Sequence, residues 1–379
     1  MMNKEKATIE VFLFELYAKY IWPFHRVFVK KYITKRCKNC CLSASASPLS
    51  SYGICELCTH TAPDVYVTPV AKREQLYNEL DTLFHLYEGK GIGEYDALVL
   101  LSGGTDSTAL THALIAKYPL LRIMTLTVDN SFLSLPALDD VNDIVKKLNT
   151  AHVTIRPNPA MYEEIFSYVF NHLGNNPCAE TVDRVDGDMR IDIARNIAAR
   201  YKIPLVVSSF SKEHIDTYLH FDSYESKAYQ SQKREKVGIY PLQEVLSKKN
   251  MHIWWDPSLC DQAHIPRMIC PYYVWERESE IKVKMKDFDN MGESEINPLL
   301  ASNTLMPLCS LVDIGHSGYS SWEPEFSRLV REGKTKVYFW KNIFELREYS
   351  AKTGHFISPT VREVLTRLGL SSDIFAKKI

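Results

Sequence analysis

A short apolar run followed directly by a double-glycine turn constrains this 379-residue chain more than any other feature. The run Asp96-Ala-Leu-Val-Leu-Leu101 is typical of a strand buried in a parallel sheet. The turn spans Ser102 to Ser107 with two glycines in it, and a helix-like stretch continues to Tyr118. Glycines let the backbone approach an anion, and the N–H groups of such a turn, with the helix start, form a cradle for phosphate. The sequence therefore predicts a strand–turn–helix unit that binds phosphate.

Strand-like and helix-like segments continue to alternate, with short loops, to about residue 215. This alternation predicts an α/β fold built on a doubly wound parallel sheet. Beyond it the pattern weakens, and we expect a mostly helical C-terminal region. The predicted strands cover residues 96–101, 122–128, 151–155 and 204–208, and the predicted helices cover residues 72–87, 107–118, 138–148 and 189–201.

Composition narrows the class of protein. Apolar residues make up 45% and charged residues 24%, which is typical of a globular protein with a core, and a net charge of -1 argues against nucleic-acid binding through overall charge. No run of about 18 uncharged apolar residues occurs, so no spanning helix is expected. Glu10, Glu15 and Lys19 interrupt the apolar N-terminal stretch, which therefore does not resemble a secretory signal. We expect a cytoplasmic location.

Four of the nine cysteines form two closely spaced pairs. Cys37 and Cys40 are separated by two residues, as are Cys55 and Cys58, and fourteen residues lie between the pairs. Two such turns can direct four thiolates at one ion, so we predict a structural zinc knuckle with these four ligands. Cys41 is a substitute ligand on spacing alone. Four protein ligands leave no open position, so this metal is expected to hold structure.

The hexapeptide Ser102-Gly103-Gly104-Thr105-Asp106-Ser107 is not a Walker loop, because the lysine of that motif is missing. It resembles the SGGxDS signature of the PP-loop ATP pyrophosphatases, and the strand–helix alternation agrees over residues 94–215. This resemblance implies an adenine nucleotide alpha hydrolase-like fold that adenylates a substrate oxygen, with Mg2+ offsetting charge on the departing pyrophosphate. By the same resemblance, the residues that would bind ATP are Ser102, Gly103, Gly104, Asp106 (near the metal-bound pyrophosphate) and Ser107, with Val128, Asp129 and Asn130 near the adenosine.

Two further cysteines resemble those of the tRNA-thiolating members of this superfamily. Cys178 precedes the helix that leads to the fourth strand, and Cys270 follows 92 residues later, a separation similar to that of the two active cysteines in those enzymes. The resemblance implies that Cys178 and Cys270, with Asp106, are catalytic and that sulfur travels as a persulfide. A cysteine desulfurase would supply the sulfur, and a tRNA or a small molecule would accept it. Thr181 stands where cluster-binding branches carry a second cysteine, which argues against an iron–sulfur cluster, although Cys260 is a candidate substitute.

A second resemblance covers more of the N-terminal half. The N-acetyl sugar amidotransferases of surface-polysaccharide synthesis join a four-cysteine knuckle to the same loop, and residues 53–58, 95–96 and 102–104 look like that arrangement. Those enzymes use ammonia from a separate glutaminase subunit and need no catalytic cysteine. Sulfur transfer is the preferred hypothesis and amide transfer the alternative. A zinc-containing adapter that binds ATP without chemistry is the non-enzymatic alternative.

The N-terminal segment is basic and aromatic. Residues 1–41 hold nine Lys or Arg against three Glu, a net charge of +6. Ile9 to Ile33 reads as a helix interrupted at Pro23, which either packs on the body of the protein or forms an arm that binds RNA or a membrane surface. A tRNA substrate would use this arm and the zinc module as its electrostatic footprint.

Polar clusters elsewhere are weaker candidates. Arg190 and Asp188 lie in an acidic stretch that is either a solvated helix face or a site for Mg2+ or substrate. Lys212, Glu213 and His214 follow the fourth strand, where the topology of a parallel sheet places ligands. The predicted segments are a basic helical arm over residues 1–36, the zinc knuckle over 37–62, a linking helix over 63–93, the ATP pyrophosphatase domain over 94–215 and a substrate or partner region over 216–379.

Overall fold

A computed structural model describes residues 12–59, 70–210, 215, 223–225, 246, 250–275, 303–333 and 335–375. The chain forms two compact units. The first contains the described residues among 12–59, 166–183 and 303–375, and the second contains those among 70–165 and 184–275. Within the described residues, no helix combines the length and the apolar character needed to cross a membrane.

Helices and strands alternate through the second unit, and helices dominate the first. The strands are β1 Ala97–Leu100, β2 Ile123–Val128, β3 Ala151–Ile155, β4 Leu205–Val207 and β5 Arg267–Ile269. The α-helices are α1 Trp22–His25, α2 Glu56–Thr59, α3 Val70–Tyr87, α4 Thr105–Lys117, α5 Leu135–Leu148, α6 Pro159–Asn171, α7 Cys178–Arg200, α8 Leu305–Ser317, α9 Glu323–Arg331, α10 Val337–Thr353 and α11 Pro359–Arg367. A π-helix covers Tyr17–Ile21, and 3-10 turns cover Lys30–Tyr32, Met251–Ile253, Pro257–Leu259, Gln262–His264, Pro271–Tyr273 and Ser372–Phe375.

The sheet of the second unit has five parallel strands in the order β3-β2-β1-β4-β5. The chain therefore moves outward from β1 to β3, returns to the other side of β1 for β4, and continues outward to β5. This reversal defines a doubly wound sheet, and its crevice lies between the carboxyl ends of β1 and β4. The predicted fold class is confirmed, with β5 as a strand that the sequence did not reveal.

Apolar burial holds the sheet and its helices together. Helices α3 and α4 and strands β1 and β4 contribute to one buried cluster, with members Leu80, Phe84, Leu110, Leu114, Val99 and Val207. Each fully buried side chain of this size contributes about 1.5–3 kcal/mol through removal from water. The start of β1 is fixed by the buried carboxylate of Asp96, which accepts hydrogen bonds from the backbone N–H groups of Gly89, Gly91 and Arg122 and pairs with the Arg122 guanidinium.

The first unit packs the N-terminal helical turns and the cysteine segment against the C-terminal helices. Trp22 is fully buried, and its indole N–H donates to Glu345 of α10 at 3.1 Å. Arg36, next to the first cysteine, is buried between the carboxylates of Glu323 and Glu348, at 2.6 and 3.1 Å. The mostly helical C-terminal region is thus as expected. The division into five segments stays a prediction.

Candidate functional site

The glycine turn after β1 is held in a conformation that glycine alone adopts readily. Gly103 has φ +82°, and a Cβ atom there would lie 2.8 Å from Cγ2 of Val141 and 3.3 Å from the Ala137 carbonyl oxygen. Gly104, with φ -76° and ψ 163°, is the residue before the first turn of α4. The turn therefore passes close to α5 and leads directly into the N-terminus of a helix of 13 residues. This is the backbone geometry that binds anions.

Two serine hydroxyls connect the ends of the turn. The Ser107 Oγ accepts a hydrogen bond from the Ser102 N–H at 3.1 Å, and the two hydroxyl oxygens are 3.0 Å apart. The Ser102 Oγ also accepts from the Gly104 N–H at 3.3 Å. Ser107 is buried, whereas Ser102 is exposed. These bonds fix the turn before any ligand arrives, so little conformational entropy is left to lose on binding.

Asp106 lies in the first turn of α4 and is half-buried. Its backbone carbonyl accepts a hydrogen bond from the Tyr272 hydroxyl at 2.8 Å, which ties the loop to the turn that follows β5. Tyr272 was not predicted as a site residue. Sequence could not have found it, because 166 residues separate the two partners.

A cleft opens at the carboxyl ends of β1, β2 and β4, where the strand order reverses. Ser102 and Val128 line it, so the structure brings the loop and one predicted adenosine contact to the same cleft. Apolar lining comes from the strand ends and from Leu133 and Phe210. Small-molecule sites commonly combine such apolar walls with a few convergent polar groups.

The charged groups of the cleft lining come from α7. Asp186 and Arg190 line it and form an ion pair with 3.3 Å between Oδ2 and Nε. Asp186 also accepts a hydrogen bond from Asn130 Nδ2 at 2.9 Å. Arg190 was a sequence candidate, whereas Asp186 was missed, and Asp188 is buried but lies outside the cleft lining. Spacing was the available signal, because Asp186 and Arg190 are four residues apart and share a helix face.

Asp129 has a structural partner. Its buried carboxylate pairs with the Arg156 guanidinium, at 2.6 Å from Nε, and accepts a hydrogen bond from the Ser131 N–H at 2.8 Å. These contacts fix the turn after β2, next to Val128. Lys212, Glu213 and His214, the candidates after β4, lie outside the described residues.

The four paired cysteines of the first unit meet at one point. The Sγ atoms of Cys37, Cys40, Cys55 and Cys58 all lie within 4.8 Å of one another, and two of the pairs are 3.6 and 3.8 Å apart. Sulfur atoms at the corners of a tetrahedron with metal bonds of about 2.3 Å would be about 3.8 Å apart. The group therefore fits a tetrahedral metal ion. Cys41 is outside it and points instead to the helical cluster around Phe344.

The electrostatics of the group suit metal binding. Burial would raise the pKa of the Cys37 thiol, but backbone N–H groups that hydrogen-bond to its sulfur lower that pKa to about 7. One of these donors is the N–H of Cys55, at 3.4 Å. Burial and the neighbouring thiols raise the pKa of Cys55 to about 11. Thiolates are the form that binds metal, so the lowered pKa of Cys37 favours metal binding at this ligand. The other thiols would release their protons to solvent when the ion binds.

Cys178 is buried in the first unit at the start of α7. The N–H groups of Cys178 and Ala179 donate to the two carboxylate oxygens of Asp313, at 2.5 and 3.2 Å. The anion-binding end of the helix is thus already taken by a carboxylate. Burial, a hydrogen bond with Cys309 and the charge of Asp313 raise the pKa of the Cys178 thiol well above its ordinary value.

Cys270 is buried at the end of β5 in the second unit. Its N–H donates to the Tyr224 carbonyl at 2.9 Å, and burial strongly raises the pKa of its thiol. Cys260 is half-buried, and burial raises its pKa as well. Reactive cysteines are usually accessible thiols with a lowered pKa, so the surroundings of these thiols are those of structural cysteines.

No model of a known protein family matches this chain, and no curated protein matches it in sequence. Similar solved structures include the NH3-dependent NAD synthetase of Campylobacter jejuni in complex with a nitrate ion, at 13% identity and a TM-score of 0.29, over 40% of this chain and 62% of that one. NMN synthetase from Francisella tularensis is 18% identical with a TM-score of 0.28, over 42% and 60%. The U34-tRNA thiolase NcsA from Methanococcus maripaludis, with its 4Fe-4S cluster, is 12% identical with a TM-score of 0.36, over 92% and 95%.

The matched region spans less than two thirds of either synthetase. Similarity at these identities and TM-scores does not indicate a shared activity. The function of this chain therefore has to be inferred from its own residues.

Proposed function

We propose that this chain binds ATP at the turn after β1 and transfers the adenylate group to an oxygen atom of a substrate. The observation that carries the proposal is the Ser102–Ser107 turn, which pairs the SGGxDS sequence with an anion-binding backbone at the point where the strand order reverses. In such sheets, ligands bind outside the carboxyl ends of the strands at this position. The cleft beside the turn offers apolar walls for an adenine ring.

The first chemical step is a displacement at phosphorus. The substrate oxygen attacks the α-phosphorus of ATP, a new P–O bond forms, and the bond to the oxygen that bridges the α- and β-phosphates breaks. The Ser102 hydroxyl, the N-terminus of α4 and the N–H groups of the turn other than those of Ser102 and Gly104, which donate to serine oxygens, would stabilise the negative charge that leaves with pyrophosphate. Asp106, half-buried at the start of α4, has the oxygen donor that Mg2+ prefers and would hold an ion that offsets this charge.

We infer that the second step uses ammonia. Its nitrogen attacks the carbon bonded to the adenylated oxygen, the C–O bond breaks so that AMP leaves with that oxygen, and the nitrogen loses a proton. The supporting observation is that Cys178 and Cys270 are buried thiols with raised pKa values, and that a carboxylate occupies the helix end next to Cys178. This favours amide transfer, with a glutaminase as the nitrogen source. Sulfur transfer from a cysteine desulfurase to a tRNA or a small molecule is the second candidate, and it requires that Cys178 become accessible.

We propose zinc as the ion in the four-cysteine group. Four thiolates in a closed tetrahedral set suit zinc, and none of the four positions is left for a substrate. The role of the ion would be to hold residues 37–58, which have a small apolar cluster of their own.

The phosphate and nucleoside parts of the ATP site can be tested separately with inorganic pyrophosphate and AMP as probes. Asp106→Ala should leave AMP binding intact and should abolish pyrophosphate release from ATP, a loss on the order of 10²–10³ or more in rate. Asp140→Ala, an exposed position on α5, is the matched control and should behave as wild type. Normal pyrophosphate release by Asp106→Ala would refute the assignment of the loop.

The nucleophile can be tested with Cys178→Ala and Cys270→Ala, which keep a small apolar side chain in each buried position. We expect both variants to consume ATP with ammonium as the nitrogen donor, in an assay supplied with the small-molecule fraction of a cell extract. Intact-protein mass spectrometry after treatment with a desulfurase and cysteine should show no added sulfur on wild type. A persulfide on Cys178 or Cys270, together with inactive alanine variants, would contradict ammonia and establish sulfur transfer.

A further inference from the structure

An unusual share of the exposed apolar surface lies on the N-terminal helical turns. Eight of the seventeen large apolar side chains that are exposed among the described residues fall within residues 12–28. Phe24 and Phe28 are the most exposed of them, at 74% and 84%. Single exposed apolar residues are common on soluble proteins, but a continuous group marks a surface that contacts another apolar phase.

Several of the exposed residues lie opposite the buried side of the helical segment. Ala18 and Trp22 are buried on the side that packs on α10, and the Trp22 ring centroid lies 5.6 Å from that of Tyr349. Residues two positions away lie on the opposite side of a helix, and those positions carry apolar side chains. Val27 and Phe28 are exposed in the turn that follows α1. We call this exposed surface the arm face, formed by Leu13, Leu16, Tyr20, Phe24, Val27 and Phe28.

Basic residues lie next to the arm face in the chain. Lys19, Lys30 and Lys31 are exposed and form no ion pair with a described residue. The Lys19 ammonium lies 5.0 Å from the ring centroid of Tyr20, on the arm face itself. Glu15 is the one acidic residue between positions 12 and 36. An apolar helix face with basic neighbours is the arrangement found in helices that lie in the headgroup region of a bilayer.

We propose that the arm face docks this chain on the surface of a membrane that contains anionic lipids. The aromatic side chains would enter the boundary between headgroups and acyl chains, and the three lysines would contact the lipid phosphates. A second copy of this chain is a poorer occupant, because a symmetric contact would bring like-charged lysines together. RNA is also a poorer occupant of the arm face, because among the described residues of this surface apolar side chains outnumber the cations without an ion-pair partner. The inference does not depend on the proposed adenylation.

The experiment is co-sedimentation of the full chain with vesicles of phosphatidylcholine, with and without phosphatidylglycerol. We expect binding to the anionic vesicles, weak binding to the neutral ones, and a loss of about fivefold in affinity for each lysine neutralised in Lys30→Gln and Lys31→Gln. The double variant Phe24→Asp, Phe28→Asp should lose more than about tenfold in affinity, because two rings that would enter the bilayer are replaced by charges that the anionic lipid repels.

Leu120→Asp is the matched control, since Leu120 is 71% exposed and lies in the other unit. It should bind vesicles as wild type does. All positions are at the surface, so circular dichroism spectra should be unchanged. Equal vesicle binding by wild type and the Phe24, Phe28 double variant would overturn the proposal. The proposal would also be overturned if wild type bound no vesicles and instead formed a dimer or bound RNA in a way that the same double variant abolished.

Discussion

Gly103→Ala tests whether the turn after β1 is held by the strain-free conformation of glycine. The residue has φ +82°, in the left-handed region, and its missing Cβ would fall 2.8 Å from Val141 Cγ2. Gly104 is the matched comparison for stability, because its φ of -76° suits any residue and its Cβ would meet nothing closer than 3.4 Å. The two substitutions add the same methyl group to adjacent residues in different conformations.

The expected change in the free energy of unfolding of Gly103→Ala is a sum of three contributions. The left-handed conformation costs an alanine about 1–2 kcal/mol, and the clash with Val141 costs about 1–3 kcal/mol. Reduced freedom of the unfolded chain returns about 0.4–1 kcal/mol. We therefore expect Gly103→Ala to lower the free energy of unfolding by about 2–3 kcal/mol. Gly104→Ala should stay within about 1 kcal/mol of wild type, because the weaker helix cap and the stiffer unfolded chain nearly cancel.

Urea unfolding of wild type, Gly103→Ala, Val141→Ala and the double variant would measure these parts. Without Val141 Cγ2 the clash is relieved, so Gly103→Ala should cost only about 1 kcal/mol in the Val141→Ala background. Pyrophosphate affinity should fall in Gly103→Ala in both backgrounds, because the turn itself is distorted. Equal destabilisation by Gly103→Ala and Gly104→Ala, or an unchanged cost in the double variant, would refute the argument.

Two further predictions concern structure outside the turn. Burial would raise the pKa of Asp96, but hydrogen bonds from Arg122 and from the Gly89 and Gly91 N–H groups lower this pKa below its ordinary 3.8. The carboxylate therefore stabilises the fold above about pH 4, and this stabilisation is lost as the pH falls through the lowered pKa. Asp96→Asn should cost about 2–4 kcal/mol at neutral pH and flatten the acid limb of the unfolding curve, unlike the exposed Asp143→Asn. Cys58→Ser should release the bound metal, measured by elemental analysis, whereas Cys41→Ala should keep it; loss of metal from both would exclude the four-ligand assignment.

The sequence predicted those elements whose signal is local. Four strands were found because β1 and β4 are short apolar runs, and β2 and β3 are rich in apolar and β-branched residues. Strand β5 was missed because it begins with Arg267, so its two remaining residues do not form the continuous apolar run of a buried strand. The burial of the first half of α7 was missed for a different reason. Its many acidic residues read as a solvated surface, yet Asp186 and Asp188 are buried.

Side-chain surroundings depend on contacts between residues that are distant in the chain. The four-cysteine group could be predicted, because spacing alone brings two pairs of thiols together. The capping of the helix start at Cys178 could not be predicted, because the capping residue, Asp313, lies 135 residues away in the chain. The N-terminal segment shows both cases. Its helical character was visible, but the inward position of Trp22 depends on Glu345, 323 residues later.

Burial of the two thiols changes the relative weight of the two transfer hypotheses. The resemblance to thiolating enzymes rested on the positions of Cys178 and Cys270 in the sequence, and position says nothing about ionisation. A thiolate nucleophile at a helix start needs the N–H groups that here bind Asp313. To act, Cys178 would have to lose this cap and become exposed. Ammonia needs neither change, because it requires no thiol and the proposed adenylation involves only the turn and cleft of the second unit.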